Sequence, residues 1–177
     1  MSTLHPLPIP ESYWVIPGQF LAGEYPGSWE DERTRRRLDL FIEAGINSFV
    51  DLTADGELLP YAPVLSEQAA VYDFSTTYAR FSIGDYGIPT LTQMETILDF
   101  LDNSLQSGKK IYVHCWGGVG RTGITVGCYL VRHGQTGDEA LAQLAAWWQN
   151  VPKHIQYPRS PETDEQVGFI QAWKRGP

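Results

Sequence analysis

A thiol that can ionise and a guanidinium that can grip two oxygens at once are the side chains a metal-free phosphate transfer needs. The run His114-Cys115-Trp116-Gly117-Gly118-Val119-Gly120-Arg121-Thr122-Gly123 supplies both. Lys110-Ile111-Tyr112-Val113 before it reads as a short buried strand, and Ile124 to Val131 after it as a buried helix. A cysteine therefore closes a strand, a short loop follows, and an arginine opens a helix. The N-terminus of a helix carries unpaired amides and a positive dipole end, and so makes an anion site. Gly117, Gly118 and Gly120 let successive N–H groups turn inward as a nest. The same field favours thiolate over thiol and makes Cys115 an activated nucleophile. The plainer reading is a glycine-rich turn around a buried cysteine; the strand–loop–helix context argues for the anion site.

A thiolate that attacks a phosphate ester must expel an alkoxide or phenoxide. A general acid that protonates the departing oxygen typically contributes ~10²–10⁴-fold. Two aspartates lie on candidate loops, Asp55 in Thr53-Ala54-Asp55-Gly56 and Asp85 in Gly84-Asp85-Tyr86-Gly87-Ile88-Pro89. Asp85 is favoured over Asp55, although a turn residue flanked by glycines is the competing role.

These residues need a frame. Tyr13–Ile16 and Phe20–Tyr25 read as strands split by the turn Pro17-Gly18. Ser28 can cap a helix that runs to Ala44 and stops at Gly45. Arg33, Arg35, Arg36 and Arg37 on it read as a solvated face beside Glu30, Asp31 and Glu32, with a docking patch for an acidic partner as the alternative. Ile46–Leu52 is a strand, a short helix lies around Val64–Ala70, and Ala79–Ile83 is a further strand. Thr90 or Thr92 caps a helix with an apolar face at Leu91, Met94, Ile97, Leu98, Leu101 and Leu105. Thr136 caps the next, and Ser160-Pro161-Glu162 opens the last. Strands alternating with helices imply an α/β fold, a mainly parallel central sheet with helices on both faces. In such sheets ligands sit beyond the carboxyl ends of the strands. Cys115, Thr53–Gly56 and Gly84–Pro89 all fall there.

The 177 residues suggest one domain over 1–177, with the proline-rich residues 1–10 loosely ordered. A net charge of −8 argues against a general nucleic-acid binder. No apolar run approaches the ~20 residues of a membrane helix, and the N-terminus lacks the features of a signal peptide. The two cysteines, Cys115 and Cys128, need no disulfide, which fits a reducing cytoplasm and a monomer. Cys128 reads as a small core residue, with a resolving thiol for oxidised Cys115 as the minor alternative. The histidines His5, His114, His133 and His154 show no ligand spacing, so neither metal nor cofactor is expected.

The His-Cys-x5-Arg-Thr-Gly phrase resembles the protein tyrosine phosphatase superfamily. The chain's length, and the lack of anything like a phosphotyrosine-recognition loop, point to its compact dual-specificity type. The Pro17-Gly18-x-Phe20-Leu21-Ala22-Gly23 phrase and Asp85-x-x-x-Pro89 fit the same type. The resemblance implies a two-step reaction through phosphocysteine. Cys115 is then the nucleophile and Asp85 the acid and later the base. Arg121 and the backbone of Trp116, Gly117, Gly118, Val119 and Gly120 bind phosphate. Thr122 is implied as a hydrogen-bond donor to the sulfur, or else as a plain helix-start hydroxyl, and His114 as a brace for the loop. Gln166 can approach the loop and position water, although an exposed helix face is the commoner place for such a residue. The stretch Lys153–Arg159 either lines the cleft or is a surface loop. The expected substrate is a phosphoprotein or phosphopeptide bearing phosphotyrosine, with phosphoserine or phosphothreonine also open. The loop between Cys115 and Arg121 carries no lysine, which disfavours a highly charged inositide and leaves a small phosphorylated metabolite open. Two other classes compete: a module that binds phosphoproteins without turnover, and a sulfur-transfer or arsenate-reducing enzyme. The position of the loop and the scarcity of cysteines disfavour the second.

Overall fold

Short runs of branched and aromatic residues, Ser12–Ile16 (β1), Phe20–Gly23 (β2), Ser48–Asp51 (β3), Thr77–Arg80 (β4) and Ile111–His114 (β5), form one sheet in the order β1-β2-β5-β3-β4. The structure is a computed structural model and describes residues 5–174. Only the β1–β2 hairpin is antiparallel; β2, β5, β3 and β4 run parallel. The helices are Asp31–Glu43 (α1), Ala62–Val71 (α2), Leu91–Gln106 (α3), Gly120–Arg132 (α4), Gly137–Trp148 (α5) and Asp164–Ala172 (α6).

The period of two along β5 sorts the core. Ile111 and Val113 face Met94, Ile97, Leu98, Ile124, Trp148 and Ile170, the layer of α3 to α6. Tyr112 faces the other layer, with Leu38, Phe41 and Leu65 of α1 and α2. Both faces of β5 are covered, which explains its unbroken burial. Among the described residues no helix is long and apolar enough to cross a membrane.

Several boundaries differ from the sequence reading. Helix α1 begins at Asp31 rather than after Ser28, because the Ser28 hydroxyl accepts from Glu30 N at 3.2 Å in a local turn and Glu30 takes the cap position. Helix α6 begins at Asp164, not at Pro161: Thr163 and Gln166 form a reciprocal capping box. Strand β4 starts two residues before Ala79 and stops at Arg80, leaving Phe81–Ile83 to the loop. The segment read as loose is held from residue 5 onward. Ile9 is buried, the Ser12 hydroxyl donates to Ile9 O at 2.7 Å, and the Trp14 indole donates to His5 O at 2.9 Å. Residues 1–4 lie outside the described residues. Thr90 and Thr136 cap α3 and α5 as read.

Candidate active site

Parallel register places His114 beside Gly23 on β2 and Asp51 on β3, in one row at the carboxyl edge. The next residue, Cys115, therefore leaves the sheet where a ligand can reach it. Its side chain lies at the base of a small cavity shared with Arg121, Asp85, Glu162, Lys153 and Tyr157. That cavity leaves about 20 Å³ free, roughly the room for one water. The loop path depends on glycine at two points. Gly118 has φ +74°, and a Cβ there would fall 2.6–2.8 Å from the backbone of Gly23 and Glu24. At Gly120 a Cβ would lie 2.9 Å from both amide atoms of Gln166.

His114 is fully buried behind the cysteine. Its Nδ1 lies 3.2 Å from Cys115 O and its Nε2 2.7 Å from the Tyr61 hydroxyl. A carbonyl can only accept, so Nδ1 carries the proton and Tyr61 donates to Nε2. Burial pushes the imidazole down to about 4, more than the nearby Asp51 can offset, so the ring is neutral although Asp51 Oδ1 lies 4.0 Å from Nδ1. Burial alone would raise the Asp51 carboxyl. The contacts with His114, Thr53 and Tyr78 outweigh it and hold the group below its ordinary value. His114 thus braces the start of the loop through neutral hydrogen bonds, the role read for it from the sequence.

Arg121 is 2% exposed and almost fully engaged. Nη1 donates to Glu57 Oε2 at 2.7 Å and to Ile83 O at 3.1 Å. Nη2 donates to Glu57 Oε1 at 2.7 Å and to Asp85 Oδ1 at 3.1 Å. Glu57 takes one hydrogen from each terminal nitrogen, the end-on fork of the guanidinium. Asp85 then takes the outer Nη2 hydrogen on the edge shared with Nε. Among the described residues, Nε–H alone of the five N–H donors has no partner, and the side-on fork suited to two phosphate oxygens is half occupied by Asp85. The Arg121 bonds hold the Glu57 carboxyl below its ordinary value. Glu57 was not singled out in the sequence, although a buried arginine demands a carboxylate and Glu57 directly follows the Thr53–Gly56 loop already placed at the cleft.

Asp85 is half exposed and sits in a turn closed by Gly87 N to Gly84 O at 2.9 Å. Its carboxylate also accepts from Tyr86 N at 3.1 Å. Asp55 points elsewhere, to Arg80 Nη1 at 2.7 Å. The Thr122 hydroxyl is buried and donates to Gly23 O at 3.5 Å; no hydrogen bond to the Cys115 sulfur occurs among the described residues. Gln166 is not on an exposed face. It is completely buried, its Oε1 accepting from Glu162 N and Thr163 N and its Nε2 donating to Gly87 O at 3.1 Å, so it ties α6 to the Asp85 loop beside Gly120. Lys153 and Tyr157 do line the cleft, and Lys153 Nζ donates to Gly117 O at 3.4 Å. Glu162, unforeseen, joins them, its carboxyl raised by burial and by the charge of Asp85. Cys128 is buried in the core and burial pushes its thiol up, as suits an inert packing residue. Among the described residues no three of His, Cys, Asp and Glu group as metal ligands would.

A family model described as "Tc-R-P: Polymorphic toxin system, DSP-PTPase phosphatase" matches residues 26–135. Among curated proteins, the chain is 30% identical over 143 residues to protein tyrosine phosphatase domain-containing protein 1 of Mus musculus, covering 76% of this chain and 19% of that protein. It is 40% identical over 99 residues to uncharacterized protein MJECL20 of Methanocaldococcus jannaschii, covering 51% and 55%. The chain spans less than a fifth of the length of the mouse relative and of its bovine counterpart. Among solved structures, Tk-PTP in its active form matches with a TM-score of 0.70 at 23% identity, over 93% of this chain and 97% of that one. PTPMT1 in complex with PI(5)P matches at 0.67 and 17% identity, over 92% and 94%. These structural likenesses carry the fold: a mostly parallel sheet between helical layers.

Proposed function

The chain belongs to the DSP-PTPase phosphatase family matched by the Tc-R-P model, and on that premise we propose that it hydrolyses phosphate monoesters on protein tyrosine through a phosphocysteine intermediate. One observation supports this most: Cys115, Arg121 and Asp85 share one cavity at the carboxyl edge of the sheet.

Phosphate enters against Nε and the outer Nη2 hydrogen of Arg121. To take the second of these it displaces Asp85. The displacement enlarges the cavity and releases the Asp85 carboxyl, which picks up a proton, towards the leaving oxygen. The Cys115 thiolate forms a bond to phosphorus while the ester P–O bond breaks, and Asp85 gives its proton to the departing oxygen. Water then attacks phosphocysteine and passes a proton to Asp85. The S–P bond breaks, and inorganic phosphate leaves with the thiolate restored. The amides of Trp116 to Gly120 and the Arg121 guanidinium hold the equatorial oxygens in both steps, so positioning and electrostatics carry most of the rate. Thr122, in this scheme, reaches the sulfur only by giving up Gly23 O.

A substrate with one phosphate is favoured because Arg121 and Lys153 are the two cations lining the cup, and Asp85 and Glu162 line it with them. The test is a leaving-group series. Asp85→Ala should slow alkyl and unactivated aryl phosphates by ~10²-fold or more while barely touching p-nitrophenyl phosphate. An equal loss across the series would remove Asp85 from the acid role. No turnover of any ester by the parent protein, with phosphopeptides still bound, would leave a binding module instead.

A further inference from the structure

Beside the catalytic cup lies a second, larger cavity of about 520 Å³. Trp116 and Lys153 line both, so the two are neighbours across a shared wall. We propose that this cavity reads the sequence around the phosphorylated residue, and that it takes an acidic side chain of a phosphopeptide. The inference rests on the phosphatase reading above and deepens it.

Charge carries the first part. Arg33, Arg37 and Lys153 line the cavity, together with Glu24 and Glu57. Both oxygens of Glu57 are engaged by Arg121, so its charge belongs to the cup. Glu24 pairs with Arg37 at 2.7 Å and also with Lys153. Arg33 has no ion pair among the described residues, whereas Arg35 and Arg36 on the same helix are paired to Asp31, Glu67 and Glu32. Three cations against the one remaining carboxylate leave two positive charges in excess. They sit on a chain whose net charge is −8, which makes this cavity a local attractor for anions. The basic run on α1 therefore divides. Arg36 keeps the solvated face the sequence suggested, Arg35 ties α1 to Gln68 and Glu67 of α2, and Arg33 and Arg37 line the cavity.

The rim carries the second part. Trp29 is 80% exposed, Leu59 63% and Trp116 52%, and all three border this cavity. Tryptophan beside arginine is the composition of a recognition surface rather than of a solvated one. The volume falls in the range of pockets that enclose a ligand. A lipid headgroup is the weaker occupant, since its anionic bilayer would repel a chain of net charge −8. An acidic peptide presents only a few charges, so it meets less of that repulsion.

The experiment measures kcat/KM for phosphotyrosine peptides with glutamate or with lysine flanking the tyrosine, on the intact chain and on Arg33→Ala and Arg33→Glu. An exposed charge pair is worth up to ~1 kcal/mol, or about fivefold, and a like-charge contact opposes by a similar amount. The parent should prefer the acidic peptide by about fivefold at low salt and less at high salt. Arg33→Ala should lower the ratio, and Arg33→Glu, which cancels the excess of two positive charges, should bring it near one. A ratio that Arg33→Glu does not move, with peptides and p-nitrophenyl phosphate still turned over, overturns the subsite alone. Arg33-dependent turnover of a soluble bis-phosphorylated polyol, with no flank preference among the peptides, also overturns it and assigns the cavity to a second phosphate. No turnover of p-nitrophenyl phosphate by the parent overturns the phosphatase reading and the subsite with it.

Discussion

Removing the Glu57 carboxylate is expected to cost both stability and turnover, and the structure sets the scale. Glu57 receives two charge-assisted bonds of 2.7 Å from a guanidinium that is 2% exposed. Breaking a buried ion pair from one side costs about 3–5 kcal/mol, because the remaining charge is stranded. Asp85 and Ile83 O stay within 3.1 Å of Arg121, so Glu57→Ala belongs at the lower end, about 3 kcal/mol. Glu57→Gln keeps one acceptor oxygen and should lose about half of that. Turnover should fall by about 10²-fold in kcat/KM for Glu57→Ala, since the fork that must meet phosphate is no longer aimed. Urea denaturation and steady-state kinetics read the two effects. The pH dependence has a fixed sign. The folded Glu57 carboxyl lies below its ordinary value, so its contribution is complete above the ordinary glutamate range and disappears as pH falls through the folded value. A Glu57→Ala protein within 1 kcal/mol of the parent, with unchanged kcat/KM, would show that Arg121 does not depend on this carboxylate.

The neutral His114 makes a separate prediction in a different pH window. Its folded value of about 4 lies below the ordinary 6.5, so between these values the unfolded chain binds the extra proton and stability falls on acidification, by about 3 kcal/mol in total. Asp51, Tyr61, Arg80 and Arg121 surround the ring, and His114→Asn should flatten the slope of unfolding free energy from pH 6.5 to 4.5 without altering the acid limb set by carboxylates. Gly120→Ala should destabilise by about 1–3 kcal/mol, as overpacking does, and lower kcat/KM. Because the obstructing atoms are the Gln166 amide, Gln166→Ala should recover part of that stability, and strictly additive effects of the two changes in a double-mutant cycle would exclude the contact.

The part of the site that the sequence revealed is the part that is contiguous in it. A strand, a glycine loop and a helix in direct succession leave little freedom, and Cys115 and Arg121 lie in one cavity accordingly. Capping was legible where the partner is three residues away, as at Thr90 and Thr136. It failed where a hydroxyl has a distant partner. The Ser160 hydroxyl donates to Val119 O at 2.7 Å, 41 positions back, and so braces the loop from outside instead of starting α6. For Gln166 the approach to the loop stands and the exposed face, the commoner place for such a residue, fails: with both amide ends satisfied by backbone, a glutamine can be buried completely, and nothing in its neighbours' hydropathy announces that. Glu57 meets Arg121 across 64 positions, and no periodicity encodes such a pairing.

The arrangement around Arg121 also links binding to acid catalysis in a way that neither residue type implies alone. An arginine with four of its five donors engaged cannot grip phosphate two-pronged without losing a partner. Glu57 and Ile83 O are the poor choices to lose, since Glu57 holds two bonds and Ile83 O is backbone. Asp85 holds one bond, is half exposed and rides on a turn of its own, so it is the contact an incoming dianion replaces. Once replaced, the carboxylate gives up its one bond to the guanidinium and stays at the cavity it shares with Glu162. Under the proposed mechanism, the step that seats the phosphate is therefore the step that frees Asp85 to reach the leaving oxygen, so binding and leaving-group protonation depend on one exchange of partners at Arg121.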